Sequence, residues 1–177
     1  MTDEMVDVVN ENDEIIGKEW KNKCHKEGIW HRVSGVLLFN SEGKMWLQTR
    51  VKNKTLHGRN LDFSASGHLK AGESYEEGAK KEMNEELGID TKLIDSGIKI
   101  FEDFIYKGEL KNKYVKHVIK LFIGKCDGPF KIQKEELDDI QVYTLEEVRK
   151  LMKKEPPVLT EGLRLILNEY FKQKNGT

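Results

Sequence analysis

Three glutamates, Glu82, Glu85 and Glu86, lie close together in the sequence, just before the glycine Gly88. Their spacing of i, i+3 and i+4 would place the three carboxylates on one face of a helix. Crowding raises the free energy of their ionised forms, and a bound divalent cation relieves that cost. Oxygen ligands at this density suit Mg²⁺ or Mn²⁺ better than Zn²⁺. The spacing alone also fits a solvated acidic helix face in a chain with 34% charged residues, so both interpretations stay open here.

Local signals predict the helix that carries these glutamates. Ser74 is a favourable N-cap residue, and Glu77 follows three residues later and completes a capping box. Gly88 stands where a helix commonly ends in the left-handed conformation. Between these ends the apolar residues recur at four-residue spacing, which predicts a buried stripe formed by Ala79, Met83 and Leu87.

A longer pattern around the glutamates resembles the box of the Nudix hydrolases. That box is Gly-x5-Glu-x7-Arg-Glu-U-x-Glu-Glu-x-Gly-U, where U is a bulky apolar residue. All six Gly and Glu positions match, namely Gly67, Glu73, Glu82, Glu85, Glu86 and Gly88. Given this chain's Gly and Glu content, such a match arises by chance at ~10^-6 per window. One fixed position departs, because Lys81 stands where the family has Arg.

The resemblance implies an α/β fold, an α/β/α sandwich with a mixed sheet. It also implies cleavage of a pyrophosphate bond in a nucleoside diphosphate derivative or related nucleotide. Glu82, Glu85 and Glu86 would hold Mg²⁺ or Mn²⁺, and one of them would also be the general base. The Gly67 carbonyl and Glu73 are further metal contacts implied by the resemblance, the latter directly or through water.

Lys81 belongs to the predicted catalytic group with the three glutamates. It keeps the positive charge of the family's Arg but lacks the planar fork that holds carboxylates bidentately. The glutamates would therefore be oriented less firmly. This departure leaves an alternative open, in which the chain is a non-catalytic nucleotide-sensing module on the same fold.

Residues 5–89 also resemble the branch of the superfamily that includes isopentenyl diphosphate isomerase. The resemblance outside the box rests on Asp13, Glu14, Gly17, Lys23, His25, Gly28, His31 and Arg32. That isomerase binds a metal through histidines and glutamates, and it protonates its substrate with a cysteine and a glutamate. Here Ser66 occupies the cysteine position, and a hydroxyl is a far weaker acid than a thiol. The segment 111–116, KNKYVK, has no carboxylate, so isomerase activity is a disfavoured alternative.

Several polar residues fit a structural role better than a catalytic one. His25, His31 and His68 fall close to the isomerase's metal-binding histidines and could form a second metal site. We favour the interpretation that His31 and His68 hydrogen-bond the loop carrying the box, because most histidines of this kind are structural or surface groups. Glu135 and Glu136 are expected to be ordinary surface carboxylates.

Two arginines are predicted to bind the substrate. Arg50 ends a predicted strand, and its guanidinium could clamp a phosphate bidentately; Arg32 is the second candidate. The basic segment 51–60 that follows Arg50 fits a solvated loop equally well. Its other cationic residues are Lys52, Lys54 and Arg59.

Composition limits the remaining possibilities. A chain of 177 residues fits one domain, here with an N-terminal hairpin extension over about 1–31. The net charge of −1 argues against nucleic-acid binding and favours a small-molecule nucleotide or diphosphate. No apolar run approaches the ~20 residues that span a bilayer, and the acidic N-terminus is unlike a signal peptide. With two cysteines there is no disulfide framework, so we expect a cytoplasmic protein. The homodimer is implied only by the resemblance to the Nudix hydrolases.

The hydrophobic pattern predicts strands with helices placed among them. A turn is expected over Lys107–Lys113, and capping signals at Thr144 and Thr160 predict two helices after the strands. A short helix or irregular segment is expected over Asn22–Trp30. The predicted strands are Met5–Val9, Glu14–Trp20, Val33–Phe39, Met45–Arg50, Leu61–Ser66, Ile98–Tyr106, Tyr114–Gly124 and one near Ile140–Tyr143.

Overall fold

The computed structural model describes residues 3–52, 57–106 and 113–176, and these residues form a mixed sheet flanked by helices. The strands are β1 (Met5–Val9), β2 (Ile15–Trp20), β3 (His31–Phe39), β4 (Met45–Arg50), β5 (Leu61–Asp62), β6 (Ala65–His68), β7 (Leu93–Tyr106), β8 (Lys113–Lys125) and β9 (Leu137–Tyr143). The helices are α1 (Lys21–Glu27), α2 (Tyr75–Leu87), α3 (Leu145–Leu151) and α4 (Glu161–Asn175).

Strand β3 organises the sheet. It pairs in parallel with β8 along its whole length, and β8 pairs antiparallel with β7. Along its other edge β3 meets β1, β6 and β4 in turn, all antiparallel. The pairing with β4 is confined to the last two residues of β3, Leu38 and Phe39. Strand β4 therefore diverges from β3 and pairs with β5 and β9 instead.

The two faces of the sheet bury separate cores. On one face Leu37 and Phe39 of β3 pack with the apolar residues of α4 that the sequence predicts to face inward, such as Ile166. On the other face Val36 and Leu38 pack with the predicted stripe of α2. The alternation along β3 is the period-two pattern of a strand buried on both sides. The predicted α/β/α sandwich with a mixed sheet is confirmed.

The predicted capping signals are present. The Ser74 side chain accepts from the backbone N–H of Glu77 in a complete capping box, and Gly88 ends α2 with φ of 64°. Thr144 caps α3 in the same manner, and Thr160 caps α4. The N-terminal hairpin of β1 and β2 is also present, and the pair Val8↔His31 joins it to β3.

Two strand predictions need correction. The predicted strand Leu61–Ser66 is two short strands, because the Ser64 hydroxyl replaces part of the ladder. It donates to the Trp46 carbonyl at 2.6 Å and accepts from Leu38 N–H at 2.8 Å. Strand β7 begins at Leu93 rather than Ile98, through an irregularity that contains Gly97 at φ of 73°.

Most of the predicted turn over Lys107–Lys113 lies outside the described residues. Within the described part of the chain, no helix has the length and apolar character needed to cross a membrane.

Candidate active site

A cavity of about 500 Å³ lies beside the segment in which β4 diverges from β3. Its walls come from strands, from α2 and from the start of α4. It brings together four box residues, an arginine–aspartate pair and four histidines. These are Gly67, Glu82, Glu85, Glu86, Arg50, Asp62, His25, His57, His68 and His117.

The three box glutamates line this cavity in different environments. Glu86 is 6% exposed, and its Oε2 accepts from the backbone N–H of Ser66 at 3.0 Å. Burial, reinforced by the nearby charge of Glu82, raises the pKa of Glu86 to about 8. Burial likewise raises the pKa of Glu82, whereas Glu85 is exposed. Raised carboxyl pKa values mean that the protein has put acidic groups where their charge is costly, which favours a cation there.

Gly67 lets a glutamate approach the backbone. A Cβ at position 67 would stand 2.2 Å from the Glu82 carboxyl carbon and 2.4 and 2.5 Å from its oxygens. Any side chain would therefore displace the carboxylate. The residue is needed for the close approach of Glu82 to β6, next to the carbonyl predicted as a metal ligand.

Lys81 braces the box rather than lining the cavity. Its Nζ lies 3.1 Å from Glu82 Oε1 and 3.2 Å from Glu73 Oε2, and it donates to the His68 carbonyl at 3.4 Å. Glu73 also accepts from Lys70 N–H at 2.7 Å and is not among the cavity-lining residues. Lys81 thus links the carboxylates of Glu73 and Glu82 where the family has arginine. Glu73 also stabilises the loop before α2 through its hydrogen bond from Lys70 N–H.

The potential ligands that converge most tightly are histidines. The ring nitrogens of His25, His31, His68 and His117 lie within 4.8 Å of one another, and we call these four residues the histidine cluster. His25 Nε2 is 3.2 Å from both His31 Nε2 and His117 Nε2, and His68 Nε2 is 3.3 Å from His117 Nε2. No comparable convergence of three carboxylates is found among residues 3–52, 57–106 and 113–176.

Strand register assembles the histidine cluster. His31 is the direct partner of His117 in the parallel pair of β3 and β8, and His68 of β6 is opposite Val33 of β3. Helix α1 packs against β8 and adds His25. Glu102 of β7 is the register partner of His117, and its Oε2 is 3.0 Å from His117 Nδ1.

Sequence reasoning did not find His117 or Glu102. Both are single polar residues within predicted strands, with no motif around them. Only the pairing of β8 with β3 and β7 reveals their role.

The predicted substrate arginines are placed differently. Arg50 lines the cavity, with Nη1 2.7 Å from Asp62 Oδ2. Arg32 does not line it, because its guanidinium donates to the Asp13 side chain at 2.7 Å and to the Asp13 carbonyl at 2.5 Å. Of the two late acidic residues, Glu136 lines the cavity and Glu135 is exposed elsewhere.

The basic segment contributes less than the sequence suggested. Lys52 and Arg59 are not among the cavity-lining residues. Lys54 lies outside the described residues.

The sequence profile of the NUDIX domain matches residues 30–163. The chain belongs to the Nudix family. It is 30% identical over 167 residues to isopentenyl-diphosphate Delta-isomerase 2 of Photorhabdus laumondii, covering 94% of this chain and 92% of the relative. It is 31% identical over 145 residues to the uncharacterised Nudix hydrolase YfcD of Escherichia coli K12, and the match covers 82% of this chain and 76% of YfcD. The Deinococcus radiodurans protein DR0079 has the same fold, with a TM-score of 0.71 at 21% identity over 93% of this chain and 98% of DR0079.

Family membership confirms two sequence predictions. The resemblance to the Nudix superfamily is correct, and the chain is of the Nudix pyrophosphohydrolase class. Nudix hydrolases generally require a divalent cation, and the oxygen-rich wall formed by the box glutamates fits Mg²⁺ or Mn²⁺.

Proposed function

We propose that the protein hydrolyses a pyrophosphate bond in a nucleoside diphosphate derivative or a related small-molecule diphosphate, using Mg²⁺ or Mn²⁺. The observation that carries the proposal is that Glu82, Glu85, Glu86 and Gly67 line one cavity that is large enough for a small ligand. Burial raises the pKa of two of these carboxyl groups, and a bound cation would favour their ionised forms.

The cavity residues would have different roles in the reaction. Glu82, Glu85 and Glu86, with the Gly67 carbonyl, would hold the cation, which neutralises phosphate charge and lowers the pKa of a bound water. One of the glutamates accepts the proton of the attacking water. Arg50, whose Nη1 lies 2.7 Å from Asp62 Oδ2, would bind a phosphate oxygen. Lys81 keeps Glu82 in place through its contact at 3.1 Å.

The substrate is inferred to be a small molecule rather than a nucleic acid, because the net charge is −1 and a strong basic excess is the usual mark of nucleic-acid binding. The homodimer implied by the resemblance remains a prediction. Light scattering at several protein concentrations measures it directly.

A substrate panel tests the proposed hydrolysis. The panel contains nucleoside triphosphates, nucleotide sugars, dinucleoside polyphosphates and ADP-ribose, each with Mg²⁺, with Mn²⁺ and with excess chelator. We expect cation-dependent turnover of at least one compound, and its collapse in Glu85→Gln and Glu86→Gln. Glu135→Gln is the matched control, since this carboxylate is exposed and does not line the cavity.

Lack of cation-dependent turnover across the panel would refute the proposal and favour the non-catalytic sensing module. Binding of a nucleotide without turnover would identify that module directly.

Isomerisation of isopentenyl diphosphate is the second candidate. The similarity to the Photorhabdus isomerase and the placement of His25 and His68 beside the cavity favour it. Against it, Ser66 lines the cavity at the position of the isomerase's cysteine, and neither Cys24 nor Cys126 lines it. We therefore expect no allylic isomer when the protein is incubated with isopentenyl diphosphate and Mg²⁺, and NMR of the products would show one if this reasoning is wrong.

A further inference from the structure

The histidine cluster has the dimensions of a metal site made entirely of nitrogen ligands. Tetrahedral Zn²⁺ with Zn–N bonds of about 2.0–2.1 Å places its ligand nitrogens roughly 3.3–3.4 Å apart. Three Nε2–Nε2 separations in the cluster are 3.2, 3.2 and 3.3 Å. One ring nitrogen from each of the four histidines lies within 4.8 Å of the other three. Four side chains from α1, β3, β6 and β8 thus direct the same kind of atom at one point.

Groups behind two of the rings orient their lone pairs toward that point. His31 Nδ1 lies 2.8 Å from the Ile29 carbonyl, which can only accept, so the proton is on Nδ1 and Nε2 carries the lone pair. An ionised Glu102 carboxylate, which can only accept, would select the same tautomer for His117 through its contact at 3.0 Å. A cation bound on the far side of the His117 ring favours that ionised form. A carbonyl or carboxylate behind a ligand ring is the usual second layer of a histidine metal site.

Without a cation, the Nε2 atoms of the cluster can hydrogen-bond to one another. An N–H on His25 Nε2 can donate to His31 Nε2, and an N–H on His68 Nε2 can donate to His117 Nε2. His31 is fully buried, while His25 and His117 are 9% and 8% exposed, so water is largely excluded from these nitrogens. A metal ion shared by the four rings would replace these neutral contacts with ligand bonds.

We propose that His25, His31, His68 and His117 bind one Zn²⁺ ion, with Glu102 as the carboxylate that positions His117. Neutral imidazoles favour Zn²⁺ and related late transition metals over Mg²⁺, which prefers oxygen. The site differs from the histidine-and-glutamate site of the isomerase, because all its ligands are imidazoles and the glutamate stands behind one of them. His25, His68 and His117 line the cavity while His31 does not, so the ion would have one side facing the cavity.

Zn²⁺ and Co²⁺ titrations of chelator-treated protein test this site independently of any hydrolysis. We expect one Zn²⁺ to bind with a Kd below ~1 μM, and one Co²⁺ to give the strong visible absorption of a four-coordinate nitrogen site. Mg²⁺ should not displace the Co²⁺, since it binds imidazole poorly. Glu86→Gln should leave both results unchanged, which separates this site from the one formed by the box glutamates.

Matched histidine variants identify the ligands. His117→Asn and His25→Asn should lose the Co²⁺ absorption and weaken Zn²⁺ binding more than about 100-fold. His57→Asn should not, because His57 lines the same cavity outside the cluster. Glu102→Gln should bind Zn²⁺ about 10–100-fold more weakly, the usual effect of removing a second-layer partner. Circular dichroism establishes that each variant is folded, and the two ligand variants lie on different elements in case one is not.

Three results would overturn the proposal. The first is folded wild-type protein that takes up no Zn²⁺. The second is a folded His25 or His117 variant that binds Zn²⁺ as tightly as wild type. The third is displacement of Co²⁺ by Mg²⁺.

Discussion

Replacing Gly67 with alanine should disable the box glutamates while leaving the fold intact. The new Cβ would stand 2.2 Å from the Glu82 carboxyl carbon, about 1.3 Å short of ordinary carbon–carbon contact. The Glu82 side chain can rotate away, so the cost in stability should stay within the ~1–3 kcal/mol typical of overpacking. The carboxylate, however, must move by about the same 1.3 Å. A displacement of this size at a reacting centre can cost about 100-fold in rate, or ~2.7 kcal/mol in activation free energy.

The assay compares kcat/KM of Gly67→Ala with wild type on the best substrate of the panel, at saturating Mg²⁺. Gly17→Ala is the matched control, because a Cβ at position 17 meets nothing within 4 Å. Thermal unfolding of both variants measures the cost in stability separately. If Gly67→Ala acts through Glu82, it should add no further loss in a Glu82→Ala background, since the two changes share one mechanism.

Full activity in Gly67→Ala, within about twofold of Gly17→Ala, would refute this reasoning. So would independent, additive losses in the double variant, since the alanine would then act on some other group.

Three further predictions concern the box and the hairpin. Lys81→Arg should preserve or raise turnover, because arginine can bridge the same carboxylates bidentately; a large loss measured by kcat would mean that lysine has a specialised role. Glu86→Gln should raise the metal-free unfolding temperature in calorimetry while abolishing turnover, since it removes a carboxylate that is 6% exposed; a lower unfolding temperature would contradict this. Asp13→Asn should lower the free energy of unfolding by about 1–3 kcal/mol, as Asp13 accepts from Arg32 and Lys99 at 2.7 and 2.8 Å. Burial raises the pKa of Asp13, but hydrogen bonds from Lys99 and Arg32 outweigh it and hold the pKa below its usual value. The stability gained is fully present above the ordinary pKa of ~3.9 and is lost as pH falls below it and through the lowered pKa of the folded state. Denaturant titrations of wild type and variant should therefore converge at acidic pH.

The sequence was most informative where its signals are local. The capping box at Ser74, the glycine stop at Gly88 and the four-residue apolar spacing each act within one or two helical turns. Together they predicted the bounds of α2 and the shared position of its glutamates. Membership of the Nudix family followed from the same stretch, because the box residues have a fixed spacing along the chain.

Local signals were weaker where a side chain competes with the backbone. The stretch Leu61–Ser66 has the composition of one strand, yet the Ser64 hydroxyl hydrogen-bonds to the backbone of Trp46 and Leu38 and divides the stretch into two strands.

The sequence also misassigned Arg32, which resembled a phosphate-binding residue by its charge alone. Its partner Asp13 is 19 positions away, and only the packing of the hairpin against β3 brings the two together.

By itself, then, the sequence determined the carboxylate helix and the reaction class that its spacing implies. Only the tertiary structure shows that the four histidines of the histidine cluster lie together. His31 and His117 are neighbours only because β3 and β8 pair in parallel at one register, and Glu102 reaches His117 only through the register of β7. A shift of one residue in either pair would turn these side chains to the opposite face of the sheet. Register depends on the packing of whole strands between two cores, and no short segment of sequence contains that information.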